Sequence, residues 1–244
     1  SVSAPFTGRA NVFAERAGIL RVDRAAVDAL NAVDPAVTVA TLPDYARTAA
    51  RQMVATVKII PYGVAGGVID RAKAAVGEPP LTLYPFQTDA IDLILTTTPG
   101  QKETITSKGH AAVAARVEAF GAYLGRVDVV NHQSDALAAA LARCSAPLVL
   151  VLTGSATSDP SDTGPSALIK AGGVLERFGM PVDPGNLLFL GRLGSQRVLG
   201  LPGCARSPAL NGADWVLERL VAGIDVSTSD IAGMGVGGLL KEIP

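Results

Sequence analysis

The chain has 244 residues, 48% of them hydrophobic and 18% charged. That is enough apolar surface for one large core or two modest ones, and it excludes a largely disordered polymer. Lys and Arg total 21 against 22 Asp and Glu, a net charge of -1, so there is no cationic excess to displace counterions from nucleic acid.

Two cysteines, Cys144 and Cys204, can build neither a disulfide framework nor a four-ligand zinc site. No apolar run approaches the roughly 20 residues that span a bilayer, and residues 1–9 lack a signal-peptide core. These features point to a cytoplasmic protein that works without membrane or nucleic acid. The ends at Ser1 and at Ile243-Pro244 read as those of a fragment.

In chain order, a helix signal follows Asp23, then come β-rich runs at 37–42 and 53–60, a helix at 64–76 and a strand at 81–86. Strands and helices grouped this way suggest a smaller α+β domain over residues 1–88. Lys58, inside the apolar run 53–60, reads as an edge-strand lysine that discourages aggregation. Pro79-Pro80 and Gln87-Thr88-Asp89 mark the approach to a boundary near 88.

From residue 89 to 223 short unbroken apolar runs alternate with amphipathic stretches. Strands are predicted at 91–96, 127–131, 148–152, 174–179 and 198–201, and helices at 107–124, 135–144, 165–172 and 208–222. The fold class is α/β, a doubly wound, mostly parallel sheet with helices on both faces. Gly194-Ser195 between 187–193 and 196–201 predicts a hairpin that makes one edge mixed. Residues 224–244 read as a glycine-rich exit. In the last helix Leu210, Ala213, Leu217, Leu220 and Val221 share one side and Trp215 lies nearly opposite, where a subunit contact is expected to cover it.

Ligands of an open parallel sheet sit beyond the carboxyl ends of its strands, where turns present backbone N–H groups at helix starts. Three turns have that place: Thr96-Thr97-Thr98-Pro99-Gly100-Gln101-Lys102, the loop 153–164, and the segment 200–208. The candidate ligand-binding residues are Thr97, Thr98, Thr153, Gly154, Ser155, Thr157, Asp159, Asp162, Asp183, Gly203, Cys204, Arg206 and Ser207. Hydroxyls, free amides and an arginine suit a phosphate, and a carboxylate suits the amidine-like edge of a pterin or a bridging magnesium ion. Each has a plainer alternative. Asp162 can start a helix, Asp183 a turn, Cys204 can be a packed thiol and Arg206 a solvated helix-start residue. His110 and His132 read as surface or packing residues.

The order of pieces resembles a known family. LVLVLTGSATSDPSD, followed by FGMPVDPGNLLFLGRLGSQRVLGLPGCARSP, is similar to the molybdopterin-binding domain of molybdopterin adenylyltransferases and molybdenum insertases. The matching pieces are Thr153-Gly154 with Asp162, Gly179 with Pro184-Gly185, the hairpin at Gly194, and Gly200-Leu201-Pro202-Gly203 with Ser207, spanning roughly residues 89–223. MVATVKIIPYGV, FGMPVDPGN and LPGCARSP further resemble bacterial proteins in which this domain precedes a nucleotidyltransferase domain.

The resemblance implies a module that binds molybdopterin or the molybdenum cofactor made from it, a homo-oligomer, and a missing C-terminal nucleotidyltransferase domain. The alternative it implies is an adenylyltransferase or insertase using ATP and magnesium, with Asp162 as a metal ligand. Three departures favour binding over catalysis. No acid follows the first strand until Glu103, Ser155 stands for a loop glycine, and Cys204-Ala205 replaces an Asn-Pro; metal-assisted phosphoryl transfer depends on placed metal ligands.

Overall fold

The computed structural model describes residues 1–87 and 89–240. The chain divides into two compact units, Ser1–Phe86 and Gln87–Pro244.

The first unit contains β1 (Arg9–Phe13), β2 (Gly18–Val22), α1 (Arg24–Val33), β3 (Val37–Thr41), β4 (Ala46–Thr48), β5 (Met53–Ile59), α2 (Gly66–Val76) and β6 (Leu81–Pro85). They form two antiparallel sheets, β1-β5-β3 and β4-β2-β6. The Asp23 carboxylate accepts the Ala26 N–H at 3.0 Å and so starts α1. Leu20, Val22 and Val54 bury a small core with Ala14.

The sequence pattern predicts no strand where β1, β2 and β4 run, because these are short segments that carry polar residues. β1 pairs along the outer side of β5, so Lys58 lies on the central strand, opposite Arg9 and Thr38, and not on an edge.

The second unit holds β7 (Ala90–Thr97), α3 (Glu103–Glu118), β8 (Tyr123–Asn131), α4 (Ser134–Leu141), β9 (Leu148–Leu152), α5 (Thr163–Lys170), β10 (Val174–Phe178), β11 (Phe189–Leu193), β12 (Gln196–Leu201), α6 (Gly212–Val221) and α7 (Thr228–Ala232). Its six strands are ordered β10-β11-β12-β9-β7-β8. β12, β9, β7 and β8 are parallel, while β11 runs antiparallel to both neighbours. This is the α/β sheet, mixed at one edge, that the alternating runs predict.

α4 and α5 cover one face, with Leu137, Leu141, Ala167 and Leu168 packed on Ile94, Val149, Val151 and Phe189. α3 lies on the other, where the place of an added Cβ at Gly109 is 3.0 Å from Leu152 and 3.7 Å from Leu95. Gly200 has a packing reason: a Cβ there would fall 2.0 Å from the ring of the fully buried Phe189.

Boundaries differ where local geometry overrides pattern. α3 runs over Glu103–Glu118, earlier than the predicted 107–124, because Gly121 takes a φ of 80° and Tyr123 already begins β8. α6 begins at Gly212 behind an Asn211–Asp214 capping box, so Leu210 is outside the helix and exposed. Trp215 is half-buried within this chain. The glycine-rich exit carries α7, capped by Ser227 and Asp230, and Leu240 donates its N–H to the Asp183 carbonyl. No described helix is long and apolar enough to cross a membrane.

Candidate functional site

β8 is reached from β7 on one side, and the chain then returns to place β9 on the other side of β7. Strand order therefore reverses between β7 and β9, the kind of switch point at which open α/β sheets bind ligands. The three predicted loops follow β7, β9 and β12, adjacent parallel strands, so their backbones meet at one carboxyl edge.

The β9 loop is anchored to β7 by the Gly154 N–H, which donates to Thr96 Oγ1 at 2.7 Å. Glycine is required there: an added Cβ would lie 2.6 Å from the Thr96 carbonyl oxygen and 2.8 Å from Gln101 Oε1. Gln101 also orders the first turn, its Oε1 accepting from Thr98 N and Thr98 Oγ1 at 3.2 Å while its Nε2 donates to Thr106. Thr97 sits half-buried, its hydroxyl 3.4 Å from the Val130 carbonyl.

Several candidates serve the loop itself. Thr153 and Thr157 are buried, and the Thr153 hydroxyl donates to the Ser155 carbonyl while also meeting Thr157 Oγ1. Asp162 is the N-cap residue of α5, but its side chain makes no capping bond. Its Oδ2 turns back to accept the N–H groups of Ser158 and Asp159 at 2.6 and 3.0 Å. Asp159 accepts from the hydroxyl and N–H of Ser161, which holds its carboxyl below the ordinary range. Ser155, Ser158 and Asp159 are exposed.

At β12 the segment Gly203–Arg206 is a 3-10 turn. Arg206 does not stand free in solvent. Its guanidinium, half-buried, donates to the carbonyls of Thr153 and Gly203 and so bridges two loops; burial lowers its pKa. Ser207 lends its carbonyl to Arg116 and its hydroxyl to the Ala209 N–H. Burial raises the Cys204 thiol above its ordinary pKa, the opposite of an activated nucleophile. Asp183 is exposed in the β10–β11 connection, and its backbone pairs with Gly238 and Leu240.

Four residues join the edge that the motifs did not single out. Thr96 and His132 link the β7, β8 and β9 ends, Gln101 orders the turn after β7, and Arg116 of α3 holds the β12 turn. Thr96 carries one local signal, a hydroxyl closing the predicted strand 91–96, and the Gln101 partners are 3 and 5 residues away; His132 and Arg116 depend on which strands and helices are neighbours. A cavity of 160 Å³ opens at the opposite, amino edge, lined in part by Ala90, Ile91, Leu148, Ser195 and Arg197. None of the candidate residues lines it, and the loops with donors and carboxylates lie at the other end of the same strands.

Among the described residues no group of three His, Cys, Asp or Glu gathers that could hold a metal ion.

No protein-family model and no curated protein matches the chain. Among solved structures it is similar to the molybdopterin biosynthesis MoeA protein from Pyrococcus horikosii, at 13% identity over 87% of this chain and 71% of that one, with a TM-score of 0.42. A likeness at that level says nothing of activity.

Proposed function

We propose that the carboxyl edge of the six-stranded sheet binds molybdopterin, or a molybdenum cofactor form made from it, as the binding module of a longer protein in cofactor biosynthesis. The main support is the adjacency of the β7, β9 and β12 loops at the switch point, in the motif order Thr153-Gly154 with Asp162, Pro184-Gly185 and Gly200-Leu201-Pro202-Gly203. The phosphate lies over the Gly154 and Gly203 loops, at the carboxyl ends of β9 and β12. Asp162 Oδ2 closes its own loop, and the other carboxylate oxygen is the acceptor for the amino-pyrimidine edge of the pterin. Homo-oligomeric assembly and a following nucleotidyltransferase domain come with this reading from the family resemblance.

Magnesium does not fit these residues as a resident ion. Asp162 and Asp159 each accept two hydrogen bonds from their own loop, and among the described residues no third carboxylate joins them.

The test is titration of the whole chain with molybdopterin, with and without ATP and magnesium. Saturable binding that needs neither ATP nor magnesium is expected. Pyrophosphate release dependent on both would replace binding with adenylyl transfer, and absence of binding would leave only a scaffold.

A further inference from the structure

β8 ends beside the switch point, and His132 follows it directly. Its N–H donates to the Thr97 carbonyl at 2.8 Å, which seats the residue against the end of β7. Its Nδ1 is 2.8 Å from Thr96 Oγ1, the same oxygen that accepts the Gly154 N–H at 2.7 Å. Thr96 is 2% exposed, so its single hydroxyl proton needs an acceptor inside the protein.

If His132 donated from Nδ1, that hydroxyl would accept twice and its own proton would be left without an acceptor. With the hydroxyl donating to Nδ1, all three groups are satisfied. The chain of bonds then runs from Gly154 N–H to Thr96 Oγ1–H to His132 Nδ1. This fixes a neutral imidazole whose remaining proton is on Nε2, because the partner of one ring nitrogen sets the role of the other. The ring is partly exposed, and through Thr96 it is bonded to Gly154 at the start of the loop that Asp162 closes. A fixed N–H donor therefore stands in the neighbourhood of a carboxylate acceptor.

Resting on the pterin-binding reading above, we propose that His132 is a specificity-determining residue. Its Nε2–H donates to the ring carbonyl of the ligand while Asp162 accepts from the adjoining ring N–H and amino group. Together they select a lactam edge, in which an acceptor sits beside donors. A 2,4-diamino ring presents an amino group where the carbonyl should be and sets two donors against each other. Sites built around a hydrogen bond reject analogues that cannot make it far better than apolar pockets reject a change of size.

Two measurements test this. The first needs no ligand: the ring-nitrogen NMR signals of His132 in ¹⁵N-labelled protein at pH 8 should be those of the Nε2–H tautomer alone, and Thr96→Val should let the minor Nδ1–H tautomer appear, as in free histidine. An Nδ1–H tautomer in the native chain overturns the proposal. The second compares 6-hydroxymethylpterin with 2,4-diaminopteridine at pH 8. The lactam should bind about tenfold more tightly or better, the equivalent of one hydrogen bond to a fixed donor. His132→Ala should erase that ratio, and His132→Gln, which keeps an N–H donor, should restore part of it. Equal affinity of the native chain for both rings overturns the proposal and leaves pterin binding standing. Binding of neither ring overturns the pterin-binding reading itself, and the proposal with it.

Discussion

Arg116 Nε lies 2.6 Å from Asp214 Oδ1, with both side chains largely buried. The remaining guanidinium donors reach the carbonyls of Ala205 and Ser207 at 2.9 and 2.7 Å, and that of Ala209 at 3.1 Å. Asp214 also closes the capping box of α6 by accepting the Asn211 N–H. One residue of α3 thus holds the turn after β12 and the start of α6 together. Arg116→Ala leaves a largely buried carboxylate and several carbonyls unpaired, and a loss of about 3–5 kcal/mol is expected. Arg116→Lys keeps the charge but not the fork of donors and should fall between the two. Urea unfolding of the three proteins checks the order.

Asp92 is a buried carboxylate on β7 that holds the opposite end of the sheet. It accepts N–H groups from Arg126 at 2.7 Å, Ser145 at 2.8 Å and Ala146 at 3.1 Å, joining β8 and the approach to β9. Asp92→Ala orphans three donors, at about 1–3 kcal/mol for each one left buried and unsatisfied. Amide exchange should quicken at those three positions, and unchanged exchange there would contradict the role.

At the candidate site, Gly154→Ala should cost about 1–3 kcal/mol, as overpacking does in a close backbone contact, because the added Cβ meets the Thr96 carbonyl oxygen at 2.6 Å. Molybdopterin affinity should fall further than stability alone explains, since the loop shifts with it. Thermal unfolding and titration on the same preparation separate the two effects.

Arg206→Ala distinguishes a phosphate contact from a brace. The guanidinium already donates to the Thr153 and Gly203 carbonyls, so its removal should weaken a phosphate-free pterin as well as molybdopterin. A loss confined to the phosphorylated ligand would assign Arg206 to the phosphate.

Burial pushes the Cys144 thiol from its ordinary 9.0 up to about 12, with Asp92 and Asp128 acting in the same direction. The unfolded thiol ionises first as pH rises, so the unfolded state holds fewer protons between about 9 and 12 and stability falls across that window. Below it the contribution is flat. Native protein should react slowly with iodoacetamide at pH 8, with the rate rising on unfolding; fast labelling of Cys144 in the native state would contradict its burial.

How much of this the sequence discloses depends on how local each feature is. β9 is a run of five apolar residues and its predicted bounds coincide with those observed, because a strand buried on both faces needs no alternation. β8 begins with Tyr123-Leu124-Gly125-Arg126, which reads as the tail of a helix until Gly121 turns the chain. Gly154 and Asp162 are visible as loop residues between a strand and a helix. His132 and Thr96 are 36 residues apart, and Arg116 and Asp214 are 98; no spacing rule links such pairs until the strand order and helix packing are known. The same holds for Lys58, whose strand becomes central only through β1.

The most direct test of ligand binding at the carboxyl edge is amide hydrogen exchange of the whole chain with and without saturating molybdopterin. Protection is expected in residues 96–102, 153–162 and 203–207, which follow three adjacent strands, with little change at Leu148 and Arg197 beside the cavity of the amino edge. Protection confined to that cavity, or none anywhere, would contradict a pterin site on these loops.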